Sequence, residues 1–296
     1  KNYLKIDMNV MYEKIKNIYL SLFFLNPKLL SAIIFIPFLY ICGWILAAPL
    51  LLLGFDKENL SLIGTIFTFL IYVFSLPKWF KLRWGVNNTW TLLGINKIDK
   101  KINLIIFFLR GFLLSIILIS IILITIIGTK WGYWIGTISL DTLINSIFLI
   151  LVVGFVEELI FRGWLLEELK NQFGIKKAIL GQALIFSIVH IGFDLPFLQM
   201  LSILIGLFLL GILLSLIRLK DKKSLWGCVG LHGGLVGLWF ITNNGLFEIS
   251  ENAPKWLVGP GTINTNPLGG IFGISLMAFF CFLYFLGFFK KNQSFK

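Results

Sequence analysis

Three ionisable side chains, Glu157, Glu158 and Arg162, stand in the otherwise apolar stretch 151–164. On the insertion scale each costs about 2.5–3.5 kcal/mol at the centre of a membrane helix, so their presence points to partners or to function. Glu158 and Arg162 are four residues apart with the acid first, an arrangement that stacks them as an ion pair on a helix. Glu157 lies about 100° round the helix from Glu158 and has no local counter-ion. An unpaired carboxyl in such a place is available for proton transfer. The plainer alternative is that both glutamates hydrate at the membrane interface. The chain has only two histidines, His190 and His232, each in a separate apolar run. A single histidine in a span is commonly a packing residue; two of two point to a shared site. At the helical rise, Glu157 lies about 12 Å from a helix end near Leu166, His232 about 12 Å from Ser224 and His190 about 18 Å from Ala178. One layer in the cytoplasmic half of a bilayer can hold them all. A carboxylate with two imidazoles suits water activation, or the binding of a divalent metal such as zinc.

The elements that must position these residues are membrane helices. Of the 296 residues, 58% are hydrophobic and only 14% charged, and the mean hydropathy is +0.91. A soluble domain is nearer one-quarter charged, so a cytosolic enzyme, a disordered chain and a disulfide scaffold are excluded. The first apolar run is too long for the core of a cleavable signal. Eight spans follow from apolar length: 29–53, 60–76, 104–127, 141–165, 178–192, 197–217, 225–242 and 267–289. The expected fold is an all-α polytopic membrane protein. A cytoplasmic segment 1–28 precedes the membrane domain 29–289, and a tail 290–296 follows it. Residues 77–103 read as a basic surface loop, and residues 243–266 as the longest outer loop. The net charge of +12 places 21 Lys and Arg in alternate loops and termini on one side, and three on the other. Cytoplasmic termini follow. No nucleic-acid-reading motif accompanies the charge, so the expected partner of the apolar surface is the lipid bilayer. Cys42, Cys228 and Cys281 lie in apolar stretches and read as small hydrophobes. In the seventh span, Gly230/Gly234 and Gly233/Gly237 are small-residue pairs that let helices approach closely.

Glu-Glu-x-x-x-Arg at 157–162, Phe-x-x-x-His at 186–190 and His232 in a later glycine-rich span together resemble the CPBP family. That family groups type II CAAX prenyl endopeptidases with bacteriocin-processing and immunity proteins. The resemblance covers about 135–245. It implies an intramembrane endopeptidase that cuts a peptide or membrane-protein substrate near the cytoplasmic face. Glu157 would be the general base that activates water, His190 would orient the water, and His232 would stabilise the oxyanion. Glu158 and Arg162 would hold the helix in place. Family members are described both as metalloproteases, with Glu157, His190 and His232 then at the metal, and as metal-free glutamate enzymes. One position departs from the family: Val236 stands where it usually has Asn or Asp, four residues after the histidine. Loss of one oxyanion donor typically costs about 10²–10³ in rate. A weak or inactive scaffold or immunity-type protein, binding a partner in the same cavity, is therefore the alternative, and a proton-coupled transporter is a third reading. The stretches 256–259 and 266–269 resemble cyanobacterial and plastid versions. A cell inner membrane or a thylakoid membrane is the expected location.

Overall fold

In a computed structural model, residues 2–25, 28–96, 103–191, 195–261 and 265–293 are described. Lys1, Lys97, Lys100, Lys101 and Lys296, which enter the lysine count, lie outside them, as does the end of the 290–296 tail. The chain divides into two compact units, Lys1–Thr89 and Trp90–Lys296.

The first unit holds α1 (Asn2–Ser21), α2 (Lys28–Ala47) and α3 (Lys57–Trp84). Asp56 caps α3, its carboxylate accepting from the Asn59 N–H at 2.8 Å, and left-handed Gly85 closes it. The sequence pattern ends this helix at 76, before Pro77. The structure carries it on to Trp84, so the expected basic loop begins at 85 instead of 77. Trp79 and Phe80, beyond the proline, are fully buried. Burying two large rings outweighs the one hydrogen bond that proline removes. Trp79 packs against Phe23 and Phe35 at 5.2 and 4.2 Å between ring centroids. Arg83 lies over the Trp79 ring at 4.6 Å.

After α4 (Thr89–Leu92), the second unit runs α5 (Leu104–Gly128), α6 (Leu140–Phe173), α7 (Ile175–Val189), α8 (Phe197–Lys220), α9 (Trp226–Ile241), α10 (Lys255–Val258) and α11 (Ile271–Gln293). The strands β1 (Gly132–Trp134) and β2 (Phe247–Ile249) pair antiparallel, with Trp134 opposite Phe247. The all-α expectation lacks this ribbon, because three-residue strands are too short to show an alternating pattern. A helix stands at each of the eight stretches read as spans. Among the described residues, five helical stretches are long and apolar enough to cross a membrane: Lys28–Leu53, Lys57–Trp84, Leu104–Gly128, Leu140–Phe173 and Phe197–Lys220. With 15 and 16 residues, α7 and α9 reach about 22–24 Å, short of a ~30 Å hydrocarbon core.

Buried on every side from Gly227 to Gly234, α9 is wedged between α5 and α6. Glycine makes this possible. A methyl on Gly154 of α6 would stand 2.7 Å from the Gly233 Cα, and one on Gly234 would overlap Ser115 of α5.

Two departures bear on the site. The sequence pattern ends the fourth span at 165, but α6 continues to Phe173. Leu166 and Leu169 are buried there, and Glu167 pairs with Lys170. The depth counted from Leu166 is therefore too small: Glu157 is about 24 Å along the helix from Phe173. Arg218, one residue past the end of the span read at 197–217, is only 1% exposed.

Candidate active site

The site begins in an interruption of α6. The stretches Leu149–Val153 and Leu159–Leu165 are wound as π-helix, with one α-helical turn, Gly154–Glu158, between them. Such turns widen a helix locally and recur at functional positions. Here they bracket both glutamates.

Glu157 Oε2 is the meeting point. It lies 3.1 Å from His190 Nε2 and 3.6 Å from His232 Nε2. His190 stands one residue past the end of α7, and its Nδ1 is 2.7 Å from the Phe186 carbonyl. A carbonyl only accepts, so Nδ1 carries hydrogen and Nε2 faces Glu157. One proton must then be shared across the 3.1 Å contact, on the imidazole or on the carboxyl. His232, on α9, places Nδ1 2.7 Å from Glu158 Oε1. The same oxygen accepts from Arg162 Nη1 at 2.8 Å. Glu158 and Arg162 are completely buried, so this pair fixes the His232 ring from behind and leaves its Nε2 toward Glu157. Phe186 is the shared floor: Arg162 lies 4.1 Å from its centroid, the His190 ring 4.5 Å and the His232 ring 5.6 Å, the last edge-on.

Glu157 and His190 keep 26% and 30% of their side-chain surface exposed. They face a cavity of about 550 Å³ that His232 and Val236 also line. The expected residues Glu157, His190, His232 and Val236 thus share one cavity wall, with Glu158 and Arg162 directly behind. Val236 offers methyl groups to the cavity one turn on from His232. At the other end, the cavity is lined by Asn243, Asn244, Thr265 and Asn266. The sequence reading assigned these to a loop; the pair Asn243-Asn244 closing an apolar helix was the available signal.

Among the described residues, no set of three or more His, Cys, Asp and Glu side chains is placed to hold an ion. Glu157 Oε2 and His190 Nε2 face each other at hydrogen-bonding distance.

A second ionic cluster lies toward the lysine-bearing ends of α6 and α8. Arg218 reaches Glu167 at 3.3 Å and donates to the carbonyls of Arg162 and Leu92. Arg110 of α5 pairs with buried Asp221. Burial pushes the Asp221 carboxyl above its ordinary range, and the Arg110 guanidinium opposes that shift. Arg110 was legible as a charge in a span with no local partner; its mate, 111 residues away, was not.

Residues 139–238 match the family model of the type II CAAX prenyl endopeptidase Rce1-like proteins. This stretch is similar to the Rce1-like domain. It contains Glu157, Glu158, Arg162, His190, His232 and Val236, and the five long apolar helices accord with a multi-pass membrane protein. Residues 11–88 match a domain of unknown function, DUF8676, nearly coextensive with the first unit. No curated protein and no solved structure matches the chain.

Proposed function

We propose that the Rce1-like domain is an intramembrane endopeptidase in which Glu157 activates water. The observation that carries this reading is the convergence of two imidazole Nε2 atoms on Glu157 Oε2 at the end of a ligand-sized cavity. In the deprotonated state Glu157 takes a proton from a water molecule, and the hydroxide attacks the peptide carbonyl. His190 holds that water and shares the proton. The tetrahedral oxyanion then faces His232, which donates to it from Nε2, while the Glu158–Arg162 pair holds the ring from behind. The shared proton passes to the leaving amine, which restores Glu157. This chemistry uses only the chain's own residues.

The same reading takes the eight helical stretches as eight crossings with cytoplasmic termini, from the 21-to-3 charge split. It keeps a scaffold as the alternative outcome, because Val236 removes one oxyanion donor. The experiment is cleavage of a bilayer-embedded peptide by purified wild type and Glu157→Gln, with and without a chelator. Cleavage by wild type alone, surviving chelation, is the expected result. Loss on chelation with recovery on added zinc would reassign the three side chains to a metal. Zero turnover in both proteins with peptide binding retained would establish the scaffold.

A further inference from the structure

One stripe of α9 and the wide turn that continues it, Thr242–Leu246, runs along the cavity. His232, Leu235, Val236, Trp239, Phe240 and Asn243 line the cavity, and their alternating steps of three, one and three residues are those of a single helical face. Asn243 follows His232 by eleven residues, so the stripe measures about 16 Å at the helical rise. An extended chain advances ~3.3–3.6 Å per residue, so about five residues of a peptide cover that length.

The two ends of the stripe differ in chemistry. At one, His190 and His232 meet Glu157. At the other, the lining consists of Asn243, Asn244, Thr265 and Asn266. Hydrogen bonds hold this second end in shape. The Trp239 indole N–H donates to the Thr265 carbonyl at 2.9 Å, and the Asn244 amide donates to the Phe240 carbonyl at 2.8 Å. Asn266 Oδ1 accepts from the Leu268 N–H at 3.1 Å. The Thr265 hydroxyl stands apart from these: the residue is only 8% exposed, and the hydroxyl has no hydrogen-bond partner among the described residues. A buried hydroxyl without a partner is costly, and native proteins satisfy nearly all such groups. Between the two ends the walls are apolar, with Leu118 and Ile122 of α5 and Leu207 and Leu210 of α8. Among the described residues no Lys, Arg or Asp lines the cavity, and Glu157 is its only carboxylate. A charged side chain or chain end placed at Thr265 would lose its hydration without gaining a counter-ion.

We propose that Thr265 and the amides beside it form a specificity subsite for an uncharged hydrogen-bonding side chain of the substrate, that of Asn, Gln, Ser or Thr, about five residues from the bond that is cut. The apolar walls take the residues between. A hydroxyl both donates and accepts, so it pairs with either end of a primary amide. A site built to hydrogen-bond its ligand rejects the analogue that leaves its own buried groups unpaired. The spacing then acts as a ruler, because the polar side chain seated at Thr265 fixes which bond lies at Glu157. The cut rests on the endopeptidase reading; binding at Thr265 does not.

The test is a set of Leu- and Ala-rich peptides, identical except for one Asn moved residue by residue along the sequence, given to the purified protein in detergent micelles. Mass spectrometry reads the bond that is cut. The cut should move with the Asn at a separation of about four to six residues. kcat/KM should exceed that of the peptide with Leu in place of Asn by at least about tenfold, while Asp or Lys at the same place should give no gain over Leu. Thr265→Val removes the hydroxyl and keeps the shape of the side chain, so the ratio between the Asn and Leu peptides should fall toward one; Thr265→Ser should retain it. A cut whose position ignores the Asn, or an unchanged ratio in folded Thr265→Val, overturns the proposal. Fluorescence binding of the same peptides to Glu157→Gln separates the subsite from the chemistry. A binding preference for Asn that disappears on adding Thr265→Val, with no cleavage by wild type, overturns the endopeptidase reading and leaves the subsite standing. Equal binding of the Asn and Leu peptides, or binding of neither, overturns the subsite.

Discussion

Arg162 and Arg218 are both fully buried and both lie beside glutamates of α6, yet their surroundings end in opposite conditions. Every nitrogen of Arg218 finds an acceptor: the carbonyls of Lys223, Arg162 and Leu92, with Glu167 close by. Among the described residues, Arg162 makes one hydrogen bond, to Glu158, its Nε and Nη2 have no hydrogen-bond partner, and the guanidinium rests on Phe186. The lower cluster consumes its hydrogen-bonding capacity internally and faces packed side chains. The upper one leaves Glu157 Oε2 and two imidazole nitrogens on a cavity. Buried charge by itself therefore does not mark a reactive site; a lone pair or proton directed at open space does.

The same substitution in the two clusters should separate them most. Glu157→Gln is expected to lower turnover by about 10²–10⁴, the usual worth of a general base, with the melting temperature unchanged. Glu167→Gln should lower the melting temperature and keep turnover per folded molecule. Equal turnover losses in the two variants would erase the distinction. Next in size, Arg162→Ala leaves Glu158 buried without its cation and should cost about 3–5 kcal/mol in detergent unfolding. Arg218→Ala should cost less, because Glu167 retains Lys170. A larger loss for Arg218→Ala would show that the lower cluster holds the bundle together. Smaller again, Val236→Asn should keep turnover or raise it by at most about 10², by returning a donor to the oxyanion. Abolished turnover in folded Val236→Asn would mean that the apolar wall at 236 is itself needed. Last, Lys170→Ala removes a partly exposed partner and should shift stability by less than about 1 kcal/mol. A loss near that of Arg162→Ala would place Lys170 among the buried ions.

The legibility of the chain followed the range of its interactions. Apolar run length located the helices, since crossing a bilayer imposes a local length requirement. The Glu158–Arg162 pair is also local, four residues on one helix, and was readable as such. His232 as a partner of Glu158 was not, because 74 residues separate them and only tertiary packing brings them together. Helix ends misled where tertiary burial overrode a local stop signal. Pro77 did not end α3, because Trp79 and Phe80 gain more from the core. The acidic pair Glu167 and Glu168 did not end α6, because cations and Gln172 meet them. The amide end of the cavity comes from segments that read as loop, where neither periodicity nor charge gives a signal.

The two widened turns of α6 have a consequence in the currency of chain length. Each accommodates a residue beyond what uninterrupted α-winding would hold. Deleting one residue from the first, between Leu149 and Val153, would let ordinary winding resume and leave Glu157 near its present face, because the widened turn already absorbs that residue. Deleting Ile147 from the α-wound stretch Leu140–Phe148 would instead turn everything downstream by about 100° relative to the helix start. Glu157 would then leave the wall it shares with the histidines, although no charge, hydrogen-bonding group or ring had been removed. The position of the carboxylate is thus written partly as a count of residues, and the widened turn is the place where the helix can absorb a change in that count.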